Sequence, residues 1–134
     1  MQIDHIGIVV ADLDETVRIY TQTLGFEQCY RETVIDQGVE VVGLSAGDSI
    51  VELLRPLHPD SPLLRFLGQA RTKVHHTAYR VPDLPAKLAE LKARGVALID
   101  ETPRRGAHGN AIAFLHPKST NGVLVELCQR ISHE

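Results

Sequence analysis

The chain has 134 residues, 43% of them hydrophobic and 23% charged, and 14 basic against 17 acidic side chains give a formal charge of -3. That length suits one globular domain over residues 1–134 with a substantial core. No apolar run is long enough to cross a bilayer, and the charge balance lacks the clustered basic face that nucleic acid demands, which leaves a small molecule as the expected partner.

The N-terminus enters a strand-like run within three residues, which leaves no room for a signal peptide and gives the expectation of an intracellular, cytoplasmic protein. Cys29 and Cys128 fall one in each half with no metal-binding spacing, so two free thiols are expected rather than a stapled scaffold. Cys128 lies two residues beyond Glu126 and shares its face of a strand; it reads as a small buried apolar residue.

Residues 3–10, if extended, place Ile3, His5, Gly7 and Val9 on one face and Asp4, Ile6, Ile8 and Val10 on the other. Both faces are largely apolar, so both are covered. Asp12 reads as a helix N-cap with Glu15 three residues on, and Leu13, Val17, Tyr20 and Leu24 follow at helical spacing up to Gly25. Gln28–Val34, Val39–Ser45 and Ser49–Leu54 are β-rich runs divided by the turn compositions Asp36-Gln37-Gly38 and Ala46-Gly47-Asp48, a three-stranded meander.

Proline-rich residues from Pro56 lead to Ser61 and Pro62, a cap and first-turn pair predicting a short helix over Leu63–Gln69 that buries Leu63, Phe66 and Leu67. The plan then returns. Val74–Val81 is a strand, and an Asp83-capped helix with Pro85 in its first turn buries Leu84, Leu88 and Leu91 before Gly95. Val96–Glu101, Ala111–His116 and Gly122–Gln129 are predicted strands, Arg104–Asn110 and Pro117–Asn121 loops, and Arg130–Glu134 a polar tail. The fold class is α+β: two βαβββ modules (about 1–56 and 74–130, with a linker helix in about 57–73) paired about a pseudo-two-fold axis to form a cleft.

The internal repeat carries the chemistry. A shift of 71 residues takes His5 to His76, Val10 to Val81, Asp12 to Asp83 and Leu13 to Leu84. Each half later places a glutamate within an apolar run, Glu52 in Ile50–Leu54 and Glu126 in Val123–Leu127. An unpartnered carboxylate in such surroundings costs several kcal/mol, so a cation is expected close by. Taken singly, each of the four reads as an ordinary core histidine or strand glutamate. Their matched placement makes His5, Glu52, His76 and Glu126 one candidate metal site, a mixed N/O set suited to Co²⁺, Mn²⁺, Ni²⁺, Zn²⁺ or Fe²⁺.

At these residues the sequence resembles the vicinal oxygen chelate superfamily (glyoxalase, bleomycin resistance and dioxygenase proteins) and, within it, the methylmalonyl-CoA epimerases. The likeness rests on Ile3–Ile8, Val51–Pro56, Val74–Ala78, Gly106–Asn110, Phe114–Lys118 and Gly122–Leu127, and spans nearly the whole chain. It implies proton removal and return at C2 of an acyl-CoA through an enolate, with His5, Glu52, His76 and Glu126 as ligands of a divalent ion, Co²⁺ foremost. It also implies Glu126 as an acid/base group and a homodimer.

Many epimerases have glutamine where this chain has Glu52. Some carry a catalytic glutamate at the position of Val41; here Glu40, one residue early, is the candidate second catalytic group, provided that a strand bulge turns it into the cleft. Failing that bulge, another group or a bound water serves. His75, beside His76, points to the opposite face and is assigned a structural role. Arg65, Arg104, Arg105 and Lys118 are candidates for the coenzyme A phosphates, equally readable as dispersed solubilising charge. The glycines of Gly106–Asn110 would let backbone N–H groups approach a substrate, with His108 as a loop residue. The rival readings are a glyoxalase I-like lyase, a ring-cleaving dioxygenase, which would leave Glu52 unexplained, and a metal-free protein binding a small ligand in the same fold.

Overall fold

Asp12 caps the first helix through Oδ1, which accepts from Glu15 N at 3.0 Å, and Asp83 does the same for Ala86 N, also at 3.0 Å. These matched caps mark the start of the helix in each repeat, as the sequence predicts. The computed structural model describes residues 1–131, and the last residues of the polar tail, 132–134, lie outside the described residues. The strands are β1 (Gln2–Val10), β2 (Glu27–Val34), β3 (Val39–Ala46), β4 (Ser49–Pro56), β5 (Thr72–Arg80), β6 (Arg104–Arg105), β7 (Ala111–Phe114) and β8 (Val125–Gln129). The helices are α1 (Leu13–Arg18), α2 (Pro62–Leu67) and α3 (Leu84–Ala93). None of the described helices is long and apolar enough to cross a membrane.

The chain divides into two compact units, one of His5–His75 and the other of Met1–Asp4 with the residues from His76 on. In the first, the strands follow the order β2-β3-β4-β1, with β1 parallel to β4 and the other pairs antiparallel. Val10, Leu13, Val42, Leu44 and Leu53 form its core under α1, with Val17, Tyr20 and Phe26 packed against them. In the second, β5 is parallel to β8, and β8, β7 and β6 continue antiparallel. Its core is Val81, Leu84, Leu88, Ala113, Leu115 and Leu127. Both units are therefore βαβββ, each with its first strand parallel to its last.

Two predicted elements come out differently. The helix expected to run to Leu24 changes at Arg18 into a π-type segment, Ile19–Thr23, in which Leu24 N donates to Ile19 O at 3.0 Å. Thr21 Oγ1 donates to Val17 O at 2.7 Å, and a hydroxyl competing for that carbonyl favours the wider spacing. Val96–Glu101 is not a strand: only Leu98 pairs, bridging to Leu115. Ile99 N and Asp100 N both donate to Phe114 O, and Asp100 Oδ2 accepts from Phe114 N at 2.9 Å, so a side chain stands where a ladder partner would be. The missing strand is supplied by Arg104–Arg105, at the start of what reads as a loop.

Asp4 explains why the first four residues group with the second unit. It is only 3% exposed, and its Oδ1 accepts from Arg80 Nε at 3.2 Å and Arg130 Nε at 2.7 Å. Arg80 also reaches Gln2 Oε1 at 3.1 Å.

Candidate metal centre

In a parallel pair, residues in register share a face, and residues two apart on one strand share it too. On β1 and β4, Gly7 is in register with Glu52, and His5 lies two residues before Gly7. On β5 and β8, Ala78 is in register with Glu126, and His76 lies two residues before Ala78. Each glutamate therefore faces a position with little or no side chain, and each histidine reaches it on the diagonal. His5 Nε2 stands 3.4 Å from Glu52 Oε1, and His76 Nε2 stands 3.5 Å from Glu126 Oε1.

All four residues are buried, Glu126 to 2% exposure and Glu52 to 7%. The His–Glu separations are longer than the about 2.7–2.9 Å of a charge-assisted N–H···O bond. They match the roughly 3.0–3.5 Å between two donors that each lie about 2.0–2.2 Å from one shared ion. Burial, donor type and spacing thus fit both pairs to a divalent cation.

Aromatic rings flank both glutamates. Phe114 pairs with Glu126 across β7 and β8, and its ring meets His76 edge-on at 5.4 Å. Glu52 has Gly43 as its partner on β3, and Gly43 has Tyr30 as its partner on β2. The Tyr30 ring lies over Gly43 so closely that a Cβ there would stand 2.2 Å from its Cζ. The phenol thereby crosses the strand and donates to Glu52 Oε2 at 2.6 Å. The apolar run around Glu52 predicts a cation beside it, and a neutral donor, the Tyr30 phenol, stands there as well. The signal was available: pairing outward from the Ile35–Gly38 connection sets an aromatic residue opposite a glycine.

Glu40 does not share the face of Glu52. The β3–β4 pairing runs without a register shift from Val39 to Ala46, so no bulge turns it round. Val41 occupies the Glu52 face, and its partner across β2 is the half-buried Glu32. Glu40 instead accepts from Arg31 Nε at 2.8 Å and from Arg55 Nη2 at 2.7 Å, and those guanidiniums hold its carboxyl below the usual carboxylate range.

His75 packs edge-on against Phe66 at 5.0 Å, and burial holds its imidazole below the ordinary range. Arg65, Arg105 and Lys118 are exposed; Arg104 pairs with Asp100 at 3.2 Å. His116, within the Phe114–Lys118 block, accepts from Lys118 N through Nδ1 at 3.1 Å and so caps the turn after β7. In the Gly106–Asn110 loop, His108 and Gly109 take positive φ values of 59° and 73°. Cys29 is exposed and Cys128 buried, both as free thiols.

The model of the Glyoxalase/Bleomycin resistance protein/Dioxygenase superfamily matches residues 4–114. The chain belongs to that superfamily. Within it, an uncharacterized protein of Bacillus subtilis is 42% identical over 96% of this chain and 91% of its own length. An ethylmalonyl-CoA/methylmalonyl-CoA epimerase of Cereibacter sphaeroides is 38% identical over 96% and 97%. Among solved structures, a methylmalonyl-CoA epimerase in complex with methylmalonyl-CoA and NH4+ superposes with a TM-score of 0.91 at 40% identity, over 99% of this chain and 96% of that one.

Proposed function

We propose that the protein is a divalent-metal-dependent epimerase interconverting the 2R and 2S forms of methylmalonyl-CoA. The observation that carries this reading is the repeated His–Glu couple, buried at one register in each βαβββ unit. It is supported by superfamily relatives of nearly full-length similarity that bear epimerase names. His5, Glu52, His76 and Glu126 would together hold one ion, Co²⁺ first among Mn²⁺, Ni²⁺ and Zn²⁺, as their mixed nitrogen and oxygen donors allow. When bound, the ion supplies a Lewis acid for the negative charge that develops on the substrate oxygens.

The chain's own residues handle the proton. Glu126, stripped of water by its burial, takes the proton from C2, and the electron pair of the broken C–H bond spreads into the thioester carbonyl as an enolate. Return of a proton to the opposite face completes the inversion. Two acid/base groups are needed, and Glu40 is turned away from Glu52 and occupied by two arginines. We assign the second role to Glu32, the carboxylate directly across from Val41 on the Glu52 face.

NMR of methylmalonyl-CoA in D₂O tests the reading. Metal-dependent loss of the C2 proton signal is expected. Folded protein that gives no exchange with Co²⁺, Mn²⁺, Ni²⁺ or Zn²⁺ would sink it.

A further inference from the structure

Glu52 has two carboxylate oxygens with different surroundings. Oε1 faces His5 Nε2 at 3.4 Å, and Oε2 accepts the Tyr30 hydroxyl at 2.6 Å. The tyrosine reaches that oxygen only because Gly43 lies between the two on the adjacent strand, where any Cβ would collide with the ring. We propose that Tyr30 is a positioning residue that occupies Glu52 Oε2, so that Glu52 offers a divalent ion a single oxygen, Oε1. This rests on the metal reading of the site and adds to it a defined coordination mode for one ligand.

The chemistry gives the arrangement a purpose. A carboxylate free to rotate can bind an ion through both oxygens, whereas one whose second oxygen already accepts a short hydrogen bond binds through the other. A carboxylate that binds through one oxygen takes one coordination position, whereas a bidentate Glu52 would take a second that a substrate oxygen could use.

The test compares the full-length protein with Tyr30→Phe, which keeps the ring over Gly43 and removes only the hydroxyl. Affinity for Mn²⁺ is measured by electron paramagnetic resonance, and the Co²⁺ form is read by its visible absorption. Tyr30→Phe is expected to weaken Mn²⁺ binding by roughly 10-fold or more, the usual effect of losing a hydrogen bond to a ligand, and to alter the Co²⁺ spectrum. In a Glu52→Ala background the same change is expected to have no further effect. Equal Mn²⁺ affinity and identical Co²⁺ spectra for wild type and Tyr30→Phe would overturn the tyrosine's role while leaving the metal reading intact.

Wild type that binds neither ion would overturn both. Infrared spectroscopy of the wild-type Mn²⁺ form gives a check that needs no variant. The wide splitting of carboxylate stretches that marks one-oxygen binding is expected, and a narrow, two-oxygen splitting for every ligating carboxylate would contradict the proposal.

Discussion

Gly43 and Tyr30 face each other across β2 and β3 with no room for a methyl group between them, since a Cβ on Gly43 would stand 2.2 Å from the ring. Gly43→Ala therefore has to push Tyr30 off the strand and break its bond to Glu52. Overpacking of this kind costs about 1–3 kcal/mol. Urea unfolding of the apo protein should show the loss, and unchanged stability would mean that the ring moves aside freely.

Glu126→Gln keeps the shape of the side chain and removes its basicity. The rate of C2 exchange should fall by about 10²–10⁴-fold for the stereoisomer whose proton faces Glu126, the usual contribution of a positioned base. A smaller loss, in protein still loaded with metal, would assign the proton to another group.

Glu32→Gln should separate exchange from inversion. With Glu126 intact, one stereoisomer still exchanges its C2 proton with solvent, but the opposite stereoisomer forms far more slowly. Measuring deuterium incorporation and circular dichroism of the thioester on the same sample distinguishes the two. Loss of both in proportion, or of neither, argues against Glu32 as the second group.

The Glu40 carboxyl is held low by hydrogen bonds from Arg31 and Arg55. Because its folded value is lowered, its contribution to stability is fully present above the ordinary value of 4.5 and is lost as pH falls through the depressed one. Glu40→Gln should thus lower stability at neutral pH and flatten the decline below pH 4.5, while C2 exchange stays unchanged. Identical acid unfolding curves would show that the arginines contribute nothing there.

Asp4 is buried and takes a hydrogen bond from each of two arginines. Asp4→Ala should destabilise the protein by about 2 kcal/mol, in line with the loss of hydrogen bonds to a charged group. Thermal unfolding at low and high salt checks this, and little loss at either salt would contradict the prediction.

Much of this was legible from the residues alone because it rests on periodicity. The apolar runs, the Asp12 and Asp83 caps and the 71-residue shift point to both βαβββ units and to the four buried side chains of the two His–Glu couples. What the pattern missed depends on side chains replacing backbone partners. Asp100 takes the hydrogen bond that a strand over Val96–Glu101 would have made, and Thr21 widens a helix that reads as regular. Glu40 stands one residue before Val41, and along an unbroken ladder alternation turns it to the other face. Tyr30 escaped because a phenol was not what a buried carboxylate was expected to attract.

The chain passes between the compact units twice, at His75–His76 where the second repeat begins and also at Asp4–His5 inside β1. Dividing the gene where the two sequence copies meet would leave the downstream product without the carboxylate that Arg80 and Arg130 share. A split or circularly permuted version that respects the architecture carries the first four codons with the downstream half.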